Sequence, residues 1–487
     1  MRTSVLASWV SWLVMLAGCS SSSSGNAPQD AGGLDAAAGF DAGGAAEAGF
    51  DAGGAADSGG GEGGAEAGSC TLPATITASM TLTTACPVWR VAAGGTTVAG
   101  SASPVLTIDP GVTVAFDKGG YLSIGTGAPG GIVAAGTASS GITFTSSAAP
   151  QAAGDWSAVA LGEHVLSTST VAFATFDYGS GVGGQGHTSS QDGYSYDEPA
   201  GALIVYSGTQ SLALALHDLA FSHDAGNGLV VDGFNVGFGS GSGNLTVHDW
   251  GTGFAPFVVS ANQASTLPTT LSAQGGVVDL VSGQGAPAGL GGSALVAVTQ
   301  TWPAIPIPYL VDGLAPGSGG GVEIEGAGNS AATLTIASPN TLEFKSGGSI
   351  NVDPNGTAQG ALIAQSPSSS SPITFTSSLA SPAAGAWGGI LFNAPSNGGS
   401  ALQTSRLQGV VIDWAGDGTL TLGSDTTVVS IAAGASASGP VISGCNIENY
   451  PATACAITYS GTFVTPPSPG YAAPNNTFGG QNAVCAL

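Results

Sequence analysis

Apolar residues alternate with small or polar ones over four to six positions at a time, as in "VTVAF" (112–116), "YLSI" (121–124), "ITFT" (142–145) and "SAVAL" (157–161). A period of two sends successive side chains to opposite faces, the mark of a strand with one side buried. Clusters of Gly, Asn, Pro or Ser break these runs every seven to twelve residues, and no stretch holds a helical period long enough to compete. The pattern predicts an all-β chain of many short strands.

The runs are also copied. "ITFTSSAAPQAAGDW" (142–156) returns as "ITFTSSLASPAAGAW" (373–387), each copy ending on a tryptophan, Trp156 and Trp387. Upstream, "LTIDPGVTVAFDKGGYLSI" (106–124) aligns without a gap to "LTIASPNTLEFKSGGSINV" (334–352). Leu106, Ile108, Phe116 and Ile124 thereby meet Leu334, Ile336, Phe344 and Val352. "VAFATFDYG" (171–179) meets "LQGVVIDWAG" (407–416), so Asp177-Tyr178 answers Asp413-Trp414. "LHDLAFSHDAGNGLVV" (216–231) meets "ISGCNIENYPATACAI" (442–457), and "PVWRV" (87–91) meets "PYLVD" (308–312). Two related halves follow, 70–295 and 296–487, the second with a C-terminal cap. Inward Ile, Leu, Val and Phe with Ser, Thr and Ala between them suit coils stacked on like coils. Propeller blades would repeat every ~40–50 residues, and no such period is present. A solenoid is therefore expected, since each rung needs only its neighbours and tolerates unequal loops.

Composition changes the picture at the N-terminus. Arg2 precedes an apolar run from Val5 to Leu16, and small residues follow. The run is too short for a good membrane-spanning helix and reads as a secretory signal, 1–18. Leu16-Ala17-Gly18-Cys19 resembles the lipobox of bacterial lipoproteins. That resemblance implies cleavage before Cys19, lipid on its thiol and amino group, and a stable membrane anchor, since more than one acyl chain is attached. Ser20 after the cysteine favours the outer membrane by the same analogy, periplasmic or surface-exposed. Residues 19–69 are Ser, then Gly, Ala and Asp, with "FDAGGAA" written at 40–46 and 50–56. So few large apolar groups cannot repay the entropy of ordering, and a disordered tether with a reach of roughly 40 Å is expected. The net charge of −25, with only Arg90, Lys118, Lys345 and Arg406 basic after the signal, argues against nucleic acid and anionic lipid surfaces as partners.

"LTIDPGVTVAFDKGGYLSIG", "GIVAAGT", "ITFTSS" and "GDW" together resemble the N-terminal coils of right-handed parallel β-helix proteins of bacterial surfaces, related in fold to pectate lyases. "QTWPAIPIPYLVDG" (300–313) and, in part, "CPVWRV" (86–91) fit the tryptophan and proline-aromatic step that precede the first coil in that family. The resemblance implies a right-handed parallel β-helix and is nearly silent on activity.

Cys19 is assigned to lipid, which leaves an odd number of cysteines, and an exported chain can keep disulfides. Cys445 aligns with Leu219 and is expected as a buried thiol. Cys455 stacks over Cys485 on successive coils, and Cys70 and Cys86 bracket the first ordered strands, so two bridges at the ends are expected.

Catalytic signals are sparse. Polysaccharide lyases of this fold family use an Arg or Lys base and calcium-binding acids, and the related hydrolases use paired carboxylates. The sequence holds neither an Asp-Asp pair nor Arg-x-Lys, and it implies no cofactor and no dedicated calcium set. His-Asp occurs three times, at His217-Asp218, His223-Asp224 and His248-Asp249. Histidine beside carboxylate suits metal binding or acid–base work, but strand neighbours point to opposite faces, and the second half lacks these ligands. His217, His223 and His248 are thus weak metal candidates, better read as surface turn residues without partners. The expectation is a lipid-anchored, non-catalytic surface protein for adhesion, glycan binding or envelope structure, with polysaccharide or surface proteins as partners. The alternative is an extracellular polysaccharide lyase or hydrolase.

Overall fold

A computed structural model describes residues 69–181, 201–207, 210–283, 294–312, 320–326, 330–353, 359–393, 404–422, 425–432, 439–460, 470–480 and 482–486. The signal segment, Cys19 and nearly all of the tether lie outside the described residues. No described helix is long and apolar enough to cross a membrane.

The described chain is a parallel β-helix. Each coil lays down three short strands, and each strand pairs with the equivalent strand of the next coil. In the first half, Val88–Val91, Thr113–Phe116 and Ile142–Ser146 lie on one face. Thr96–Val98, Leu122–Ile124 and Val159–Leu161 lie on a second. Met80–Leu82, Val105–Ile108 and Gly131–Ala135 lie on a third. Every named ladder is parallel except the small hairpin of Thr421–Leu422 with Asp425–Ala432. The longest sheet has fourteen strands, which at ~4.8 Å per strand spans about 60 Å.

The two halves match rung for rung. Phe116 and Phe344 are both fully buried, and each stacks on the tryptophan of its own copy. Phe116–Trp156 centroids are 4.4 Å apart at 11°, and Phe344–Trp387 centroids 4.0 Å apart at 9°. The indole N–H of Trp156 donates to the Asp177 carbonyl at 2.8 Å, and that of Trp387 to the Asp413 carbonyl at 2.7 Å. Gly154 and Gly385, two residues before each tryptophan, share a φ of +77°, a left-handed backbone that an L side chain resists. One upstream match shifts. Val91 pairs with Phe116 and Val311 with Phe344, so Trp89 answers Tyr309, and "PVWRV" aligns one residue earlier than its prolines suggest.

The copies are stacked with the pattern advanced by one face. The second face of the first half continues through Phe257–Ser260 and Val278–Val281 into Tyr309–Val311 and Asn340–Phe344. Those last strands correspond by sequence to Val88–Val91 and Thr113–Phe116, which lie on the first face. One continuous fourteen-stranded sheet thus changes identity at Val278–Val281.

Both ends carry cysteine pairs at bonding distance, with Cα separations of 6.0 Å for Cys70–Cys86 and 6.1 Å for Cys455–Cys485. The ladder sets Cys485 beside Thr458, so the pair is not in direct register. Cys445 is free and 1 % exposed; burial pushes its thiol up to about 11. By register it falls where Leu219 does: the next residue, Asn446, pairs with Val411 as Ala220 pairs with Thr175.

Candidate functional site

The corners of the coil explain the residues that stood out in sequence. Thr170–Asp177 and Leu212–Ser222 each run around a corner from the third face to the first. The corner residues take left-handed backbone: Phe173 at φ +49°, Asp218 at +55°, Asn244 at +53°. Asp and Asn tolerate that region better than most residues. In the second half the matching residues are Gly409 at +64° and Gly444 at +65°. The next corner repeats the device, with Tyr178 and Trp414 both at +63°, and His223 and Asn449 at +54° and +51°.

Two of the three histidines have partners, which corrects the reading of them as unpaired turn residues. His217 Nδ1 lies 2.8 Å from Asp218 Oδ2, and its ring meets Phe173 edge-on. The hydrogen bond from His217, with a second from Asn244, holds the Asp218 carboxyl below its ordinary range. His223 Nδ1 lies 2.7 Å from Asp177 Oδ1 and its ring stacks on Tyr178. Asn449 Nδ2 makes the same contact to Asp413 Oδ1, at 2.8 Å, in the second half. A histidine and an asparagine exchanged at one position supply the same donor, so this contact belongs to the turn. Among the described residues, no three of His, Cys, Asp and Glu converge closely enough to hold a metal; His217, His223 and His248 do not form one site.

Asp224 has no such explanation. It is 4 % exposed. Its Oδ1 accepts the Gly179 N–H at 2.9 Å, while Oδ2 is buried with no hydrogen-bond partner. Burial pushes this carboxyl up to about 9, against the pull of the Gly179 N–H and helped by the charges of Asp177 and Asp249.

The outward side of the fourteen-stranded sheet is the other feature of interest. One column of side chains runs Thr97, Ser123, Ala160, Ile204, Val230, Val258, Asp279, Leu310, Glu343, Thr376. The same register carries it on to Asp413 and Glu448. The column is apolar from Ala160 to Val258, where Ala160, Ile204, Val230 and Val258 are buried in a small outer cluster. It turns acidic at Val278–Val281.

At that change of identity, charges gather. Asp312 and Lys345 are next in register after the pair Val311–Phe344, and Lys345 Nζ lies 2.6 Å from Asp312 Oδ1. Asp279 sits diagonally from Asp312, two positions along the neighbouring strand. Burial pushes the Asp279 carboxyl up to about 7, with the Asp312 charge adding to the rise and Lys345 opposing it. Burial also raises Glu343. Oδ1 of Asp279 and Oδ1 of Asp312 are both closed off from solvent. The sequence reading missed this cluster because its members lie about one rung apart along the chain. The signal was available: the repeat gives rung lengths of 31 residues from Asp279 to Leu310 and 33 from Leu310 to Glu343. The first half shows a related ion pair, Arg90 Nε to Asp117 Oδ1 at 2.6 Å, with Ser147 on the same oxygen.

Comparison with family models, curated proteins and solved structures finds no match to this chain.

Proposed function

We propose that the protein is a lipid-anchored envelope β-helix that binds a polymer, a glycan of the envelope or of a surface it meets, along the acidic stretch of its longest sheet. It is held to the outer membrane through Cys19 and lifted on the 20–69 tether, and its role is binding or scaffolding. The observation that carries this reading is the outward column Asp279, Glu343, Glu448. On one parallel sheet these side chains repeat at multiples of ~4.8 Å, a rigid, regular row of hydrogen-bond acceptors suited to an extended chain of hydroxyl or amino groups. Affinity electrophoresis through gels containing a panel of polysaccharides tests it. Retardation by one polymer, lost in Glu343→Gln/Glu448→Gln, is expected; equal mobility in every gel refutes it.

A second reading is favoured by one observation. Asp279, pushed up to about 7, stands near a carboxylate already paired with Lys345. A neutral acid beside an ionised carboxylate is the arrangement glycosidases use for acid and base. Reducing-sugar and unsaturated-product assays over the same panel decide it: product that vanishes in Asp279→Asn would make the protein a hydrolase or lyase.

A further inference from the structure

We propose that Lys345 and Asp312 condense into an intramolecular amide, an isopeptide bond between adjacent rungs. The inference goes beyond the polymer-binding reading and does not depend on it. The amine and the carboxyl are already in contact: Nζ and Oδ1 are 2.6 Å apart, on residues facing each other across one ladder step. The backbone holds them there, since the Lys345 N–H donates to the Val311 carbonyl at 3.0 Å. Proximity of this kind removes most of the entropic barrier to a bimolecular step.

The reaction balances without any other reagent. The ammonium passes one proton to the Asp312 carboxylate, giving a neutral amine beside a neutral acid. The nitrogen lone pair attacks Asp312 Cγ and forms the C–N bond. Neutral Asp279 protonates the departing hydroxyl as the C–O bond breaks, water leaves, and the Asp279 carboxylate recovers its proton from the amide nitrogen. Two features favour the forward direction. Oδ1 of Asp279 is shut off from solvent, which favours the neutral form that the step requires of it. Lys345 and Asp312 keep 46 % and 32 % of their side-chain surface open, so the released water has an exit. The Arg90–Asp117 pair of the first half has the same 2.6 Å contact, but a guanidinium stays protonated and is no nucleophile. It is a built-in control.

Intact-mass spectrometry of the denatured full chain tests the proposal. Expressed without lipid processing and fully reduced, the wild type is expected to weigh one water less than its sequence requires, and peptide mapping should return a branched peptide joining the segments of Asp312 and Lys345. Lys345→Arg keeps the charge and should restore the full mass. Asp279→Asn should leave a mixture of closed and open forms after the same time. A full-mass wild type overturns the bond. Loss of water that persists in Lys345→Arg also overturns it, because Asp312 precedes Gly313 and a backbone succinimide would then be the product. Complete closure of Asp279→Asn at the wild-type rate overturns the role given to Asp279.

Discussion

Replacing Asp224 with asparagine should stabilise the protein, and by more as the pH rises. The wild-type carboxyl is buried, and burial with the charges of Asp177 and Asp249 pushes it up to about 9. In the unfolded chain an aspartate titrates near ~3.9. Between those values the folded state binds a proton that the unfolded state does not, so stability falls as the pH rises from about 4 to about 9. Each unit costs ~1.36 kcal/mol, so at pH 7 the cost is on the order of 4 kcal/mol. Asparagine has the shape of the neutral acid and keeps an oxygen for the Gly179 N–H. Its amide nitrogen takes the place of Oδ2, which has no partner now, so neither side chain is satisfied there and that penalty nearly cancels. Thermal melts of both proteins at pH 5, 7 and 9 would show a small advantage for the variant at pH 5 and a growing one above. An Asp224→Asn protein less stable than wild type at pH 7, or an advantage that ignores pH, refutes the reasoning.

Other outcomes follow from the fold. Trp387→Ala removes a fully buried ring stacked on Phe344 and should cost about 3–5 kcal/mol; Trp156→Ala should cost a similar amount, and urea melts of the two variants check the equivalence. Cys485→Ser should expose the last coils to limited proteolysis while first-half peptides stay protected, since the cysteine pairs hold the ends. Cys445, buried and pushed up to about 11, should resist a thiol reagent at pH 8 until the chain is denatured, whereas rapid labelling of the native protein would contradict its place in the core. Cys19→Ala should release the protein from membranes and abolish labelling by fatty acid.

The sequence carried the strands, the duplication and the packing because each leaves a short-range mark. Period two gives the strand, the copied hexamer gives the repeat, and the alignment of Cys445 with Leu219 gives the buried thiol. The one-face advance left no mark. It falls where the chain passes through Ala261–Thr266, a short 3-10 turn that interrupts the strand pattern. The left-handed corners were half legible. Gly409 and Gly444 mark them in the second half, but Phe173 and Asp218 read as ordinary strand residues. The His-Asp pairs suggest chemistry in the sequence, but the histidines of two of them, His217 and His223, meet local needs of the turn. The Asp279 cluster needed the rung register, which no single segment contains.

Two copies in one chain separate what the coil requires from what it is free to vary. The pairs Trp156/Trp387 and Asp177/Asp413, the tryptophan-to-carbonyl hydrogen bond and the positive-φ corners recur in both. A feature kept through duplication, on faces pointing in different directions after the one-face advance, serves packing rather than a shared ligand. The outer column behaves in the opposite way. From the change of identity onward the column Asp279, Leu310, Glu343, Thr376, Asp413, Glu448 corresponds to Thr71, Arg90, Ala115, Thr145, Asp177 and Ser222 at the start of the first half. Only the threonine and the turn-fixing aspartate are common to both. Nothing in the packing of a coil demands Glu343 or Glu448 on the outside, because Ala115 and Ser222 serve at the same places. Lys345 likewise stands where the first half has Asp117. Apart from Leu310, which is buried, the residues that diverged are exposed or half-buried, charged, and gathered on one stretch of one sheet. That asymmetry between copies, more than the charge itself, is what supports the proposal that a polymer binds along this stretch.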